Sequence, residues 1–245
     1  MAVLMIALGV LCLIARELAP VWQFPDDVPA VLPYVCAVVS LATGVGLLVP
    51  RTAALAARVL LAYLVLWLVV VRGHDIVAAP VAFGVWDGCA ELGVIIAAAW
   101  VVYAAVATDW DRAHLRFASG AGGVRVAHAL FGVAQIPFGL AHLLYMDRTI
   151  AFVPHYMPAP AFWAYLTAIA FIAAGAAIVT GVFARLAATL VAIQIGLFTI
   201  LAWLPILTAS PDAGLWNEFG MSVALTLAAG VVAASYRGRP WLALR

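Results

Sequence analysis

Apolar residues fill this chain in blocks of roughly 20, broken by short stretches where Arg, Asp, Pro and Gly collect. The blocks predict eight helices, over 2–20, 30–49, 53–71, 87–107, 126–145, 162–180, 184–205 and 218–236. At about 1.5 Å per residue, each reaches across roughly 30 Å of hydrocarbon. The pattern also recurs. Tyr34-Val35-Cys36-Ala37-Val38-Val39-Ser40-Leu41-Ala42-Thr43-Gly44 is echoed by Tyr165-Leu166-Thr167-Ala168-Ile169-Ala170-Phe171-Ile172-Ala173-Ala174-Gly175, and Asp87 is echoed by Glu218 at the same offset. The expectation is an all-α, polytopic membrane bundle made of two four-helix repeats, 1–107 and 126–245. Between them, 108–125 reads as a linker, in which Asp109, Asp111, Arg112 and Arg116 lead into the flexible run Ser119-Gly120-Ala121-Gly122-Gly123. Because four is even, both repeats enter the membrane in the same direction, the parallel kind of duplication with its axis along the membrane normal.

Composition sharpens the class. With 68% apolar and 9% charged residues, the chain has too little polar surface to cover a soluble globule. Met1 to Ile14 is short and apolar, yet it lacks a charged leader region and takes the place in the first copy that Val126 to Tyr145 takes in the second. It therefore reads as a retained helix rather than a signal peptide. A net charge of +1 leaves no basic face for nucleic acid. All 12 basic side chains are arginine, which with the Ala, Val and Gly richness fits a bacterial inner membrane.

Charge also predicts orientation. Arg51, Arg58, Arg112, Arg116, Arg125, Arg185, Arg237, Arg239 and Arg245 fall on one side of the eight spans, and Arg16, Arg72 and Arg148 on the other. The positive-inside rule then places both termini in the cytoplasm. Trp22, Trp67, Trp86, Trp163, Trp203 and Trp216 form the outer aromatic belt, with Trp110 and Trp241 inside.

Polar groups inside spans are costly unless paired, so each is a functional candidate. His128, Gly132, Gln135, Gly139 and His142 share one face of the fifth helix, with Gln135 near mid-membrane. This stripe reads either as a packing seam between helices or as a proton path in which His142, near the outer mouth, gives or takes a proton. Asp87 and Glu218 lie at predicted helix starts beside Trp86 and Trp216, where capping of free N–H groups accounts for them. Glu91 is one turn deeper and has no such role. The expected site is a polar pocket of Glu91, Asp87, His142 and Glu218 in the outer half of the inter-repeat interface. Gln135 and His128 lie along its stripe, and Arg16, His74 and His155 lie around its rim. Cys12, Cys36 and Cys89 sit in separate segments without disulfide, haem or zinc spacing, and no metal or nucleotide motif is present. Haem is disfavoured because His128 and His142 stand at opposite ends of one helix.

Phe131-Gly132-Val133, Gly139-Leu140-Ala141-His142, Phe152-Val153-Pro154, Met157-Pro158, Phe162-Trp163-Ala164-Tyr165-Leu166-Thr167, Ala173-Ala174-Gly175 and Ala184-Arg185-Leu186-Ala187-Ala188 resemble the four-helix DoxX/DoxD-like membrane proteins. The resemblance covers 126–236 and extends to 1–107 through the repeat. It implies a four-helix unit, with His142 where members often carry a basic residue; some relatives are described as subunits of membrane sulfur or quinol oxidoreductases, while many have no assigned activity. Where members often carry an acidic residue in the next helix, this chain has Phe171, and Ser40 in the first copy. Three functions remain open. One is an accessory subunit of a membrane redox complex with a pocket for quinone or a similar lipophilic ligand. The others are a structural or assembly protein and a small-solute transporter.

Overall fold

The computed structural model describes residues 1–17, 20–22, 29–209 and 212–244. Among them every regular element is helical: α1 (Ala2–Ala15), α2 (Leu32–Leu48), α3 (Ala53–Ala78), α4 (Phe83–Val106), α5 (Asp109–His114), α6 (Gly120–Leu144), α7 (Met146–Phe152), α8 (Pro160–Thr180), α9 (Ala184–Ala209) and α10 (Ala213–Ala234). Six of these, α3, α4, α6, α8, α9 and α10, are long and apolar enough to cross a membrane. α1 and α2 are shorter than expected, with 14 and 17 residues. At about 1.5 Å per residue they span roughly 21 and 26 Å, short of the ~30 Å hydrocarbon core. α1 ends where Arg16 turns left-handed at φ 58°, and the expected end of that span at 18–20 falls largely outside the described residues.

Much of the apolar surface faces outward: Val38, Leu66, Val69, Phe162, Ile169, Ile193 and Ile200 are all exposed. A soluble protein does not present long helices sheathed in such side chains. The chain is a multi-pass integral membrane protein.

Packing proceeds around the bundle in chain order. α1 lies on α2, α2 on α3 and α3 on α4; α6 lies on α8, α8 on α9 and α9 on α10. α4 is central, because it also packs on α6 and α10, and Val94 to Ala99 within it are buried throughout. Small residues set the closest approaches. A Cβ added at Gly175 would stand 2.6 Å from the Gly132 carbonyl oxygen and 3.2 Å from Ile136; one at Gly139 would meet Ala168 O and Ile172. The same contacts recur between α1 and α2, where Gly44 faces Ala2 and Ile6, and Gly9 faces Ala37 and Leu41. Sequence numbers in these two sets differ by 130 on α1 and α6 and by 131 on α2 and α8.

The 131-residue offset extends further. α3 widens to π-helical pitch at Leu68–Arg72, and α9 does so at Thr199–Trp203. Pro205, which lacks the N–H an α-helix needs, comes just after the second widened turn. A polar link also recurs with changed chemistry. Cys36 Sγ and Tyr63 Oη are 3.3 Å apart between α2 and α3, whereas Gln194 Nε2 donates to Thr167 O at 3.1 Å between α9 and α8.

Within 108–125, Asp109–His114 and the residues from Gly120 onward are helical. Thr108 caps α5 with a reciprocal capping box to Asp111, and α6 starts at Gly120, six residues before its expected position.

Candidate functional site

The carboxylates between α4 and α10 lie at the end of the bundle away from most arginines. Both helices begin earlier than expected, so neither Asp87 nor Glu218 is a cap. Ala82 precedes α4, and Trp86 Nε1 fixes that start by donating to Pro80 O at 2.9 Å. Asp212 caps α10, accepting from the Leu215 amide at 2.9 Å. With capping removed as the explanation, the two carboxylates stand close enough across the α4–α10 interface to interact electrostatically. Glu218 is exposed and within electrostatic range of Arg148 on α7. Asp87 is half-buried, and its Oδ1 is shielded from solvent without a hydrogen-bond partner among the described residues.

Arginines near this end supply positive charge that the sequence did not place in the site. Arg72, in the π turn of α3, pairs with Asp75 at 3.2 Å. A Cβ built on Gly88 of α4 would lie 3.0 Å from its guanidinium. The available signal was that Arg72 and Arg148 are exceptions to the one-sided arginine pattern. Glu91, half-buried one turn beyond Asp87, has an interaction partner. His74 is exposed, 3.7 Å from Asp75; Arg16 and His155 are exposed as well.

The α6 stripe has contacts along its length. His142 packs its ring on Phe198 of α9 at 5.6 Å and on Phe171 of α8 at 5.4 Å, with Nδ1 2.8 Å from Phe138 O. Gln135 is fully buried. Its Nε2 donates to Phe131 O at 2.8 Å, while Oε1 has no partner among the described residues. His128, at the opposite end from His142, lies 2.7 Å from Ser235 Oγ and stacks on Tyr236 at 3.9 Å. A further polar knot ties α9 to α10, where Thr199 Oγ1 is 2.7 Å from Ser222 Oγ and 2.9 Å from Thr226 Oγ1.

At the arginine-rich end, Asp111 of α5 is an enclosed charge. Its side chain is 0% exposed and meets Arg58 Nη2 at 2.7 Å. It accepts from Tyr103 Oη at 2.9 Å, from the Thr108 amide at 2.8 Å and from Thr108 Oγ1 at 2.6 Å. Burial by itself pushes the carboxyl upward; the Thr108 and Tyr103 hydrogen bonds and the Arg58 charge outweigh it and hold the group at about 2. Arg58 also lies over the Trp110 ring at 4.7 Å.

The thiols are closer than their sequence separation implied. Cys12 and Cys36 are both buried and within electrostatic range of each other, and all three cysteines are free. Among the described residues, no three His, Cys, Asp or Glu side chains cluster as metal ligands would. Comparison with family models, with curated proteins and with solved structures finds no match to this chain.

Proposed function

We propose that the chain is a duplicated, DoxX/DoxD-like membrane protein with eight crossings and both termini in the cytoplasm. In this reading it serves a membrane redox system as an accessory component and offers a quinone-type ligand a proton-exchanging site at Asp87 and Glu218. One observation carries the site. Among the described residues Asp87 holds a shielded, unpartnered carboxylate oxygen, while Glu218, within electrostatic range, is open to the surface. A shielded carboxyl beside an exposed one is a two-step route between the protein surface and a lipophilic ligand, and a protonated Asp87 is a hydrogen-bond donor for a quinone carbonyl. The duplication is supported by the glycine contacts and π turns that recur at an offset of 130 or 131 residues. The orientation rests on the arginine distribution.

The test is binding of decylubiquinone to the purified protein, followed by quenching of its tryptophans. Asp87→Asn and Glu218→Gln are expected to weaken binding and flatten its pH dependence, whereas His142→Ala, whose ring packs on α8 and α9, leaves both unchanged. Equal affinity in wild type and both carboxylate variants removes the site.

A scaffold role is the second reading. It is favoured by the Thr199–Ser222–Thr226 knot and the His128–Ser235 bond, which fasten helices to one another.

A further inference from the structure

After the last long helix of each half stands a tryptophan that carries an arginine. Trp110 and Trp241 stand 131 residues apart, with Arg58 over the first ring at 4.7 Å and Arg185 over the second at 3.9 Å. The residue after each tryptophan differs. Asp111 comes after Trp110 and neutralises Arg58 at 2.7 Å. Leu242 comes after Trp241, and the sequence beyond Glu218 contains no Asp or Glu. Among the described residues, neither Arg185 nor Arg239 pairs with a carboxylate.

The second arginine is nevertheless held in place. Arg185 donates from Nη1 to Arg239 O at 2.5 Å, and the Phe183 amide donates to Ala243 O at 2.7 Å. These two bonds fold the segment after α10 back over the α8–α9 turn. Between the two lies a cleft of about 180 Å³, lined by Gly181, Ala184, Arg185, Arg239, Pro240 and Ala243. That is several times the ~30 Å³ a water occupies in the liquid. Trp241, Leu242 and Leu244 are exposed apolar side chains on the same segment. Arg185 and Arg239, neither paired with a carboxylate among the described residues, line this cleft beside apolar groups that suit a membrane interface, a combination that matches a phosphate diester at headgroup depth.

We infer that this cleft binds the phosphate of an anionic lipid headgroup from the inner leaflet, which takes the place that Asp111 fills in the first half. The leaflet assignment rests on the cytoplasmic orientation proposed above; the anion site itself does not.

The experiment uses the full chain purified in dodecylmaltoside. Phosphatidylglycerol, phosphatidylcholine and inorganic phosphate are each titrated, with bound lipid read by native mass spectrometry and stability by the thermal midpoint. Phosphatidylglycerol is expected to bind at least tenfold more tightly than phosphatidylcholine. Arg185→Gln and Arg239→Gln are each expected to weaken it about fivefold, the fold-change matching roughly 1 kcal/mol per basic side chain at an anionic surface. Arg51→Gln, an exposed arginine outside the cleft, is the matched charge control and is expected to leave affinity unchanged. Equal binding of the two lipids overturns the anion site, as does an equal loss in Arg51→Gln. Stabilisation by inorganic phosphate as strong as by phosphatidylglycerol overturns the lipid assignment. Quinone binding is unaffected in either arginine variant, so failure of one proposal leaves the other standing.

Discussion

Removal of the Asp111 carboxylate is expected to loosen the arginine-rich end of the first half. Asp111→Ala deletes the Arg58 ion pair and leaves the Tyr103 hydroxyl and the Thr108 groups without their acceptor. Breaking one partner from a buried ion pair costs about 3–5 kcal/mol. Arg58 keeps 34% of its side chain in contact with solvent, so water recovers part of that loss. The expected cost is about 3 kcal/mol for Asp111→Ala, and about 2 kcal/mol for Asp111→Asn, which still accepts from Tyr103. Either is a large share of a total folding free energy on the order of 5–15 kcal/mol. The assay is reversible unfolding in mixed micelles by sodium dodecyl sulfate, followed by tryptophan fluorescence, with Arg58→Leu and the double variant closing the cycle. An Asp111→Ala protein within about 0.5 kcal/mol of wild type refutes the reasoning, and so does a cycle showing no coupling. The pH dependence has a fixed sign. The folded carboxyl lies at about 2 against its ordinary 3.8, so its contribution is complete above about pH 4 and is lost as pH falls toward 2. Wild type loses this increment in that window, and Asp111→Asn does not.

Three other outcomes are expected from the packing. Gly175→Ala and Gly44→Ala bring a Cβ to 2.6 Å from the Gly132 carbonyl oxygen and 2.8 Å from Ile6 respectively; each is expected to cost about 1–3 kcal/mol in the same unfolding assay, while Gly230→Ala, with open space around it, costs nothing measurable. Thr199→Val removes both links of its hydroxyl to α10 and is expected to cost about 1–2 kcal/mol, with Ser222→Ala losing less. An alkaline phosphatase reporter inserted at 29–31 is expected to be active and one inserted after Gly122 inactive; an inactive reporter at 29–31 means that α1 does not cross.

The hydropathy pattern carried the helical class and the neighbourhood of each long helix, because spacing of apolar residues reports burial directly. It did not carry which neighbour covers a given face. His128, Gln135 and His142 are correctly spaced on α6, yet His128 meets α10 while His142 meets α8 and α9. Helix starts were misplaced where Phe83 to Trp86 and Ala213 to Asn217 extend the helix ahead of the carboxylate, and this turned Asp87 and Glu218 from caps into interior groups. Asp111 was hidden inside Asp109-Trp110-Asp111-Arg112, which has the composition of a solvated charge run. The clue was Thr108 three residues earlier, the spacing of a capping box.

Every partner of the Asp111 side chain lies between Arg58 and Thr108. The network therefore needs nothing from α6 or any later helix. The first half thus carries all it needs to close its own end, and α4, which meets α6 and α10, is anchored at that end independently of them.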